Sequence, residues 1–144
     1  MRPFLIVLCL AVVIPRLATG VDRPSWSTAF DGTQRLSTGK WGGDHIEMTV
    51  TKAGAHLELD CAAGDIAEPI TVSDRGLVST RGTVTPERPG PVRLGDEPAP
   101  KDATYSGQLN GKTLTLDVTL VDDKRAYGHF TLILGQDGRV RKCR

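Results

Sequence analysis

Aromatic side chains supply only 5% of the 144 residues, and asparagine occurs once, at Asn110. Few exposed rings means few platforms for stacking sugars. Because Asn110 is followed by Gly-Lys, the chain also has no Asn-x-Ser/Thr glycosylation acceptor. A Gly-rich phosphate loop, a paired zinc motif and a Gly-x-Ser-x-Gly nucleophile elbow are all missing. Asp122-Asp123 before Lys124-Arg125 and Asp137-Gly138 read as charged turns, without the ligand count of a calcium loop. No cofactor or metal is implied, no catalytic residue stands out, and an enzyme survives only as a scattered site assembled by the fold.

Long apolar runs are missing too. The single one, Phe4 to Ile14, is too short for a bilayer that needs about 20 residues. It follows Arg2 and precedes the small residues Ala18 and Gly20, so residues 1–20 read as a secretory signal peptide cleaved after Gly20, carrying Cys9 away with it. Without Arg2 and Arg16, the 18 basic residues become 16 against 17 acidic ones, a net charge of −1. That balance offers no electrostatic footprint for nucleic acid or anionic lipid. Arginine outnumbers lysine and Gly, Ala and Pro abound, as in bacteria with GC-rich genomes. The expected location is secreted or periplasmic. In such a compartment the two remaining cysteines, Cys61 and Cys143, pair as a disulfide, which leaves Cys61 no role as a nucleophile.

From His45 onward apolar residues recur with period two, the mark of half-buried strands. Ile46, Met48 and Val50 alternate with polar residues, and so do Leu57, Leu59 and Cys61. Ile70 to Val72 and Leu77 to Val84 follow, then Tyr105 to Leu109, Leu114 to Leu120, Ala126 to Leu134 and a short piece at Arg139 to Cys143. Eight strands result. Asn110-Gly111 reads as a two-residue type I′ loop setting Gly107 opposite Leu114 and Tyr105 opposite Leu116, inward against inward. An even loop around Ala53-Gly54 similarly sets Val50 opposite Leu57, Met48 opposite Leu59, Ile46 opposite Cys61 and Thr51 opposite His56. Val140 and Cys143 differ in parity, so the last strand must bend or end early.

Two His-x-Glu pairs, His45/Glu47 and His56/Glu58, suggest a metal site, since zinc takes both ligand types. The hairpin places the two histidines about 20 Å apart along the strands, where zinc to nitrogen is about 2 Å. Each pair is therefore read as solvent-face polar residues, and His129 would meet one of them only through unusual closure. Pro86 to Pro100 holds five of the nine prolines and reads as a long, stiffened loop inside one domain. The expected organisation is a signal at 1–20, a lead segment at 21–40 and a β domain at 41–144.

Gly39-Lys40-Trp41 stands immediately before the first expected strand. This Gly-x-Trp resembles the opening motif of lipocalins, avidins and related eight-stranded up-and-down barrels, and the resemblance implies that Trp41 packs across the barrel base. Over residues 41 to 143 the chain also resembles a group of short exported bacterial proteins of unknown function. The matching features are WGG-D-H at 41–45, L-x-L-D-C-A at 57–62, E-R-P-G-P-V at 87–92, Y-S-G at 105–107 and K-C at 142–143. It implies no activity.

The expected fold is thus all-β, an eight-stranded antiparallel up-and-down meander closed as a small barrel, with a β-sandwich as alternative. Three functions fit. The first is a non-catalytic binding module holding a small apolar ligand against Met48, Leu59, Tyr105, Leu116, Phe130 and Leu132. The second is a protein-interaction module, such as a periplasmic protease inhibitor or envelope accessory protein, working through residues 21–38 or the proline-rich loop. The third is an enzyme with an unrecognised site.

Overall fold

The computed structural model describes residues 32–91, 95 and 98–143; residues 1–20, read above as a signal peptide, and the aromatics Trp26 and Phe30 lie outside them. Ten strands follow one another: β1 Gln34–Arg35, β2 Gly39–Gly43, β3 Ile46–Val50, β4 Ala55–Leu59, β5 Ala62–Ile66, β6 Thr71–Val72, β7 Leu77–Pro86, β8 Lys101–Asn110, β9 Thr113–Leu120 and β10 Ala126–Leu134. Eight of them pair antiparallel around a ring, in the order β7, β5, β4, β3, β2, β10, β9, β8 and back to β7. The chain is an all-β closed barrel, not a sandwich. β1 and β6 pair with each other outside the ring, and Val72 of β6 pairs with Val78 of β7.

Two members of the ring differ from those the periodicity predicts. Gly39–Gly43 and Ala62–Ile66 are barrel strands, whereas Ile70 to Val72 lies outside the ring and Arg139 to Cys143 is no strand at all. The count stays at eight because two gains cancel two losses. The expected clash of parity between Val140 and Cys143 disappears with the strand that would have carried it.

Register also shifts by two residues in both hairpins. Val50 pairs with Ala55, Met48 with Leu57 and Ile46 with Leu59, so His56 faces Thr49 instead of Thr51. Asn110 pairs with Thr113, which makes Gly111-Lys112 the loop and sets Gly107 opposite Leu116 and Tyr105 opposite Val118. Gly111 takes the positive φ of 61° that the turn requires. A shift of two preserves which face each side chain meets, so the inward set survives the error.

That inward set fills the barrel. Leu114, Leu116, Val118 and Leu120 of β9 are at most 3% exposed, alternating with Thr115, Asp117 and Thr119 outside. Trp41 is buried and donates its indole N–H to the Ser37 carbonyl at 3.0 Å, while Leu36, Ile70 and Val72 are buried with it. The largest side chain from the opposite wall is Tyr105, wholly buried, whose hydroxyl donates to the Thr83 carbonyl at 2.6 Å. Its ring lies along the inner wall over two glycines of the adjacent strands β7 and β5. A Cβ at Gly64 would lie 2.6 Å from the Tyr105 hydroxyl, and one at Gly82 would lie 2.9 Å from the ring and 2.3 Å from the Asp65 carbonyl oxygen. Burial pushes the phenol far above its ordinary range.

Candidate functional site

Alternating strand directions gather the turns Asp44–His45, Asp60–Cys61 and Val121–Arg125 and the proline-rich loop after Pro86 at one rim. The Cys61–Cys143 disulfide is there as well, closing a separation of 82 residues. Cys61 sits in the β4–β5 turn with φ of 55°, where the sequence pattern had placed it at the end of an inward strand face. Cys143 arrives on an extended tail that leaves β10 at Gly135.

Of the six side chains read as a ligand wall, Met48, Leu59, Tyr105, Leu116 and Leu132 are at most 2% exposed and belong to one hydrophobic cluster. They pack on one another. Phe130 is partly buried against the same cluster. Leu59 and Phe130 line a rim cleft of about 320 Å³ together with His45, Asp60, Tyr127, Gly128 and His129.

This cleft exists because the ring is incompletely zipped at one seam. β10 pairs with β9 along almost its whole length, but with β2 only at Ile133 and Leu134. β2 turns away at Asp44–His45, and among the described residues no strand continues beside Ala126 to Phe130. The Leu134 N–H donates to Lys112 on the β9 side and the Gly135 N–H donates to Lys40 on the β2 side. Gly43 still covers the Thr131 carbonyl, which a Cβ there would approach to 2.0 Å, so by strand alternation it is the main-chain groups of His129 that face the open seam. A β-bulge between Ala126 and Gly128 bends the strand just there, and burial raises the Tyr127 phenol above its ordinary value. Sequence patterning had no signal for the cleft, since it depends on where β2 stops relative to β10.

The histidines are each matched to an aspartate, His45 Nδ1 to Asp60 between two rim turns at 2.6 Å, and His56 Nδ1 to Asp65 at 2.7 Å and His129 Nδ1 to Asp117 at 2.6 Å across strand pairs. Closure does bring His129 and His45 to one cleft. Even so, among the described residues no group of three or more His, Cys, Asp and Glu side chains is placed to hold a metal ion. The glutamates of the two His-x-Glu pairs do something else: Glu47 accepts from the Gly138 N–H at 2.9 Å, and Glu58 lies 3.4 Å from Lys142. Both hold the tail. His45→Ala and His56→Ala are expected to change stability by no more than about 0.5 kcal/mol, as exposed pairs do, and the purified protein should carry no stoichiometric zinc by elemental analysis.

From Gly135 to Cys143 the tail climbs the outer face of the β2–β3 hairpin to the rim. Arg139 exchanges main-chain hydrogen bonds with Gly43 and His45 at 2.9 Å each and pairs its guanidinium with Asp44. The Arg141 N–H donates to Asp60 at 2.7 Å, the Cys61 N–H donates to the Arg141 carbonyl at 3.2 Å, and Lys142 reaches Glu87 at 3.1 Å. The Glu87 N–H in turn donates to the Cys61 carbonyl at 2.7 Å, fixing the start of the proline-rich loop to the same turn. The Arg141 N–H, aided by His45, holds the Asp60 carboxyl below its ordinary value of 3.8 against the opposing effect of desolvation. A lowered carboxyl contributes stability that is complete above its unfolded value and lost as pH falls through its folded one. The Arg141 amide resonance should therefore titrate with a midpoint below 3.8 while core resonances such as Leu116 stay unmoved.

Compared with models of known protein families, with curated proteins and with solved structures, the chain matches none of them.

Proposed function

We propose that this chain is a non-catalytic, extracytoplasmic protein-interaction module that takes an extended segment of a partner along the open edge of β10, with an apolar side chain of that segment in the rim cleft. The observation that carries the reading is the unzipped seam: β2 leaves β10 beyond Ile133, the main-chain groups of His129 face the gap, and Leu59, Tyr127 and Phe130 line the adjoining cleft. Exposed strand edges are templates for pairing, and strand addition combines main-chain hydrogen bonds with side-chain pockets. A filled lumen favours the rim over the interior as the binding surface. Export, and with it kinship to the short exported proteins sharing the WGG-D-H pattern, belongs to the same proposal, supported by the disulfide and by the pattern of residues 1–20.

Peptides selected from a random library on the folded protein test this. Their amide perturbations should concentrate on Ala126 to Thr131, and Phe130→Ala should weaken them about tenfold or more, as loss of a central aromatic contact does. Perturbations on the outer face of β7 and β8, or binding indifferent to Phe130→Ala, would overturn the reading. A second reading, a small apolar ligand, is favoured by the same cleft, whose volume is at the lower end of the range for small-molecule sites. An apolar fluorophore displaced by Phe130→Ala, in a protein that selects no peptide, would put that reading first.

A further inference from the structure

The tail is an appended strap, and the surface beneath it is complementary to it in charge and in shape. Five barrel carboxylates, Asp44, Glu47, Glu58, Asp60 and Glu87, are all met by Gly138 to Lys142, three by cationic side chains and two by main-chain N–H groups. The shape match is at two glycines. A Cβ on Gly42 would lie 2.3 Å from the Asp137 carbonyl carbon, and one on Gly138 would lie 2.3 Å from the Ile46 carbonyl oxygen. Only a glycine-containing backbone seats there.

The strap is nonetheless dispensable to the ring. Closure comes from β2 and β10, which pair before the tail begins, and Val140 is the tail's one aliphatic side chain. Gly135, with φ of 83°, is the point where the tail departs from β10. A terminal element joined at such a point and seated on polar contacts meets the conditions for exchange between copies.

We infer that this acidic rim groove is an interaction surface for the basic C-terminal tail of a second copy of the chain, giving a reciprocal, tail-exchanged dimer locked by Cys61–Cys143 disulfides between copies. The chemistry balances without an oxidant. A small thiolate attacks Cys61 in its disulfide and expels the Cys143 thiolate. That thiolate attacks Cys61 of a second chain, held in mixed disulfide with the small thiol, and the small thiolate leaves. Two such exchanges convert two disulfides within chains into two between chains and regenerate the thiol. The inference is independent of the peptide-binding reading, since it uses the groove under the tail and not the β10 seam.

Isotopically normal and nitrogen-15-labelled full-length protein, mixed at about 1 mM to match the effective concentration of a short tether, provide the test. After incubation with a catalytic glutathione couple under native conditions and acid quenching, disulfide peptides are mapped by mass. Mixed-mass Cys61–Cys143 peptides should exceed Cys61–Cys61 and Cys143–Cys143 peptides by about tenfold, a ratio that the three exposed ion pairs of the strap together suffice to give. The same species should elute as a dimer. Gly42→Ala, which blocks the seat without touching either cysteine, should reduce the excess to parity. Absence of mixed-mass Cys61–Cys143 peptides, or like-with-like pairs in equal amount in the wild type, would overturn the inference. Far-ultraviolet dichroism of Gly42→Ala separates loss of the seat from loss of the fold.

Discussion

Tyr105→Ala is expected to lower the free energy of unfolding by about 3–5 kcal/mol, the range for deleting a fully buried ring. The side chain is wholly buried, hydrogen-bonded at its tip to Thr83, and it fills space that three strands have left for it. Because Gly64 and Gly82 supply that space, Gly82→Ala should be costly as well, about 1–3 kcal/mol from overpacking against the ring and against the Asp65 carbonyl. The informative result is the combination. Overpacking against the ring vanishes once the ring is gone, so Tyr105→Ala/Gly82→Ala should be less destabilised than the sum of the two single variants. Strict additivity in urea titrations would show that the cost at Gly82 comes from the Asp65 backbone alone. Tyr105→Phe, which keeps the ring and strands one carbonyl, should lose only about 1–2 kcal/mol.

The same packing explains which strands were hidden in the sequence. β5 carries the inward residues Ala62, Gly64 and Ile66, two of the three small, and Gly64 has no room for a side chain because the Tyr105 hydroxyl from β8 lies over it. A period-two search weighted by large apolar residues passes over such a strand. β2 is hidden for the complementary reason: around Trp41 it has Gly39, Gly42 and Gly43, and Gly42 is reduced to hydrogen by the tail seated against its outer face. In each case the missing side chain records a neighbour distant in sequence. The two segments wrongly assigned to the ring show the converse. Ile70 and Val72 are apolar because they pack onto the buried cluster from outside the ring, and Arg139 to Cys143 makes a single bridge to Asp44 on the barrel surface, in keeping with the broken parity of Val140 and Cys143.

Parity proved more legible than register. A two-residue slip costs nothing in the inward or outward pattern, so hydrophobic alternation cannot detect it; turn chemistry must. Here Gly111 takes the positive φ, but as the first loop residue, with Asn110 already paired to Thr113. The disulfide partners were legible by counting alone. Their route to one rim was not: Cys61 reaches it in the β4–β5 turn and Cys143 on the tail, not on an eighth strand. The rim cleft was beyond reach, since it reflects the difference in length between β2 and β10.

Removing the disulfide in Cys61→Ser/Cys143→Ser should lower stability by about 4.5 kcal/mol in the chain-entropy model, because the bond closes 82 residues in the unfolded chain. For a domain whose total stability is about 5–15 kcal/mol, that is a large share. The loss should fall almost entirely on the unfolded state. The ring is closed by β2 and β10, so strand content at low temperature should be unchanged while the urea midpoint drops. Hydrogen exchange distinguishes the two halves of the effect. Amides of Arg139 and Arg141, which bond to the rim, should lose protection down to the level of local tail opening, because the exposed ion pairs that remain are worth little. Leu116 and Leu132 should lose only what the global decrease dictates. A midpoint shift equivalent to less than about 1 kcal/mol would mean that the tail stays seated without its bond and restrains the unfolded chain little. Loss of strand signal in the folded baseline would mean that the strap, and not the seam between β2 and β10, closes the barrel.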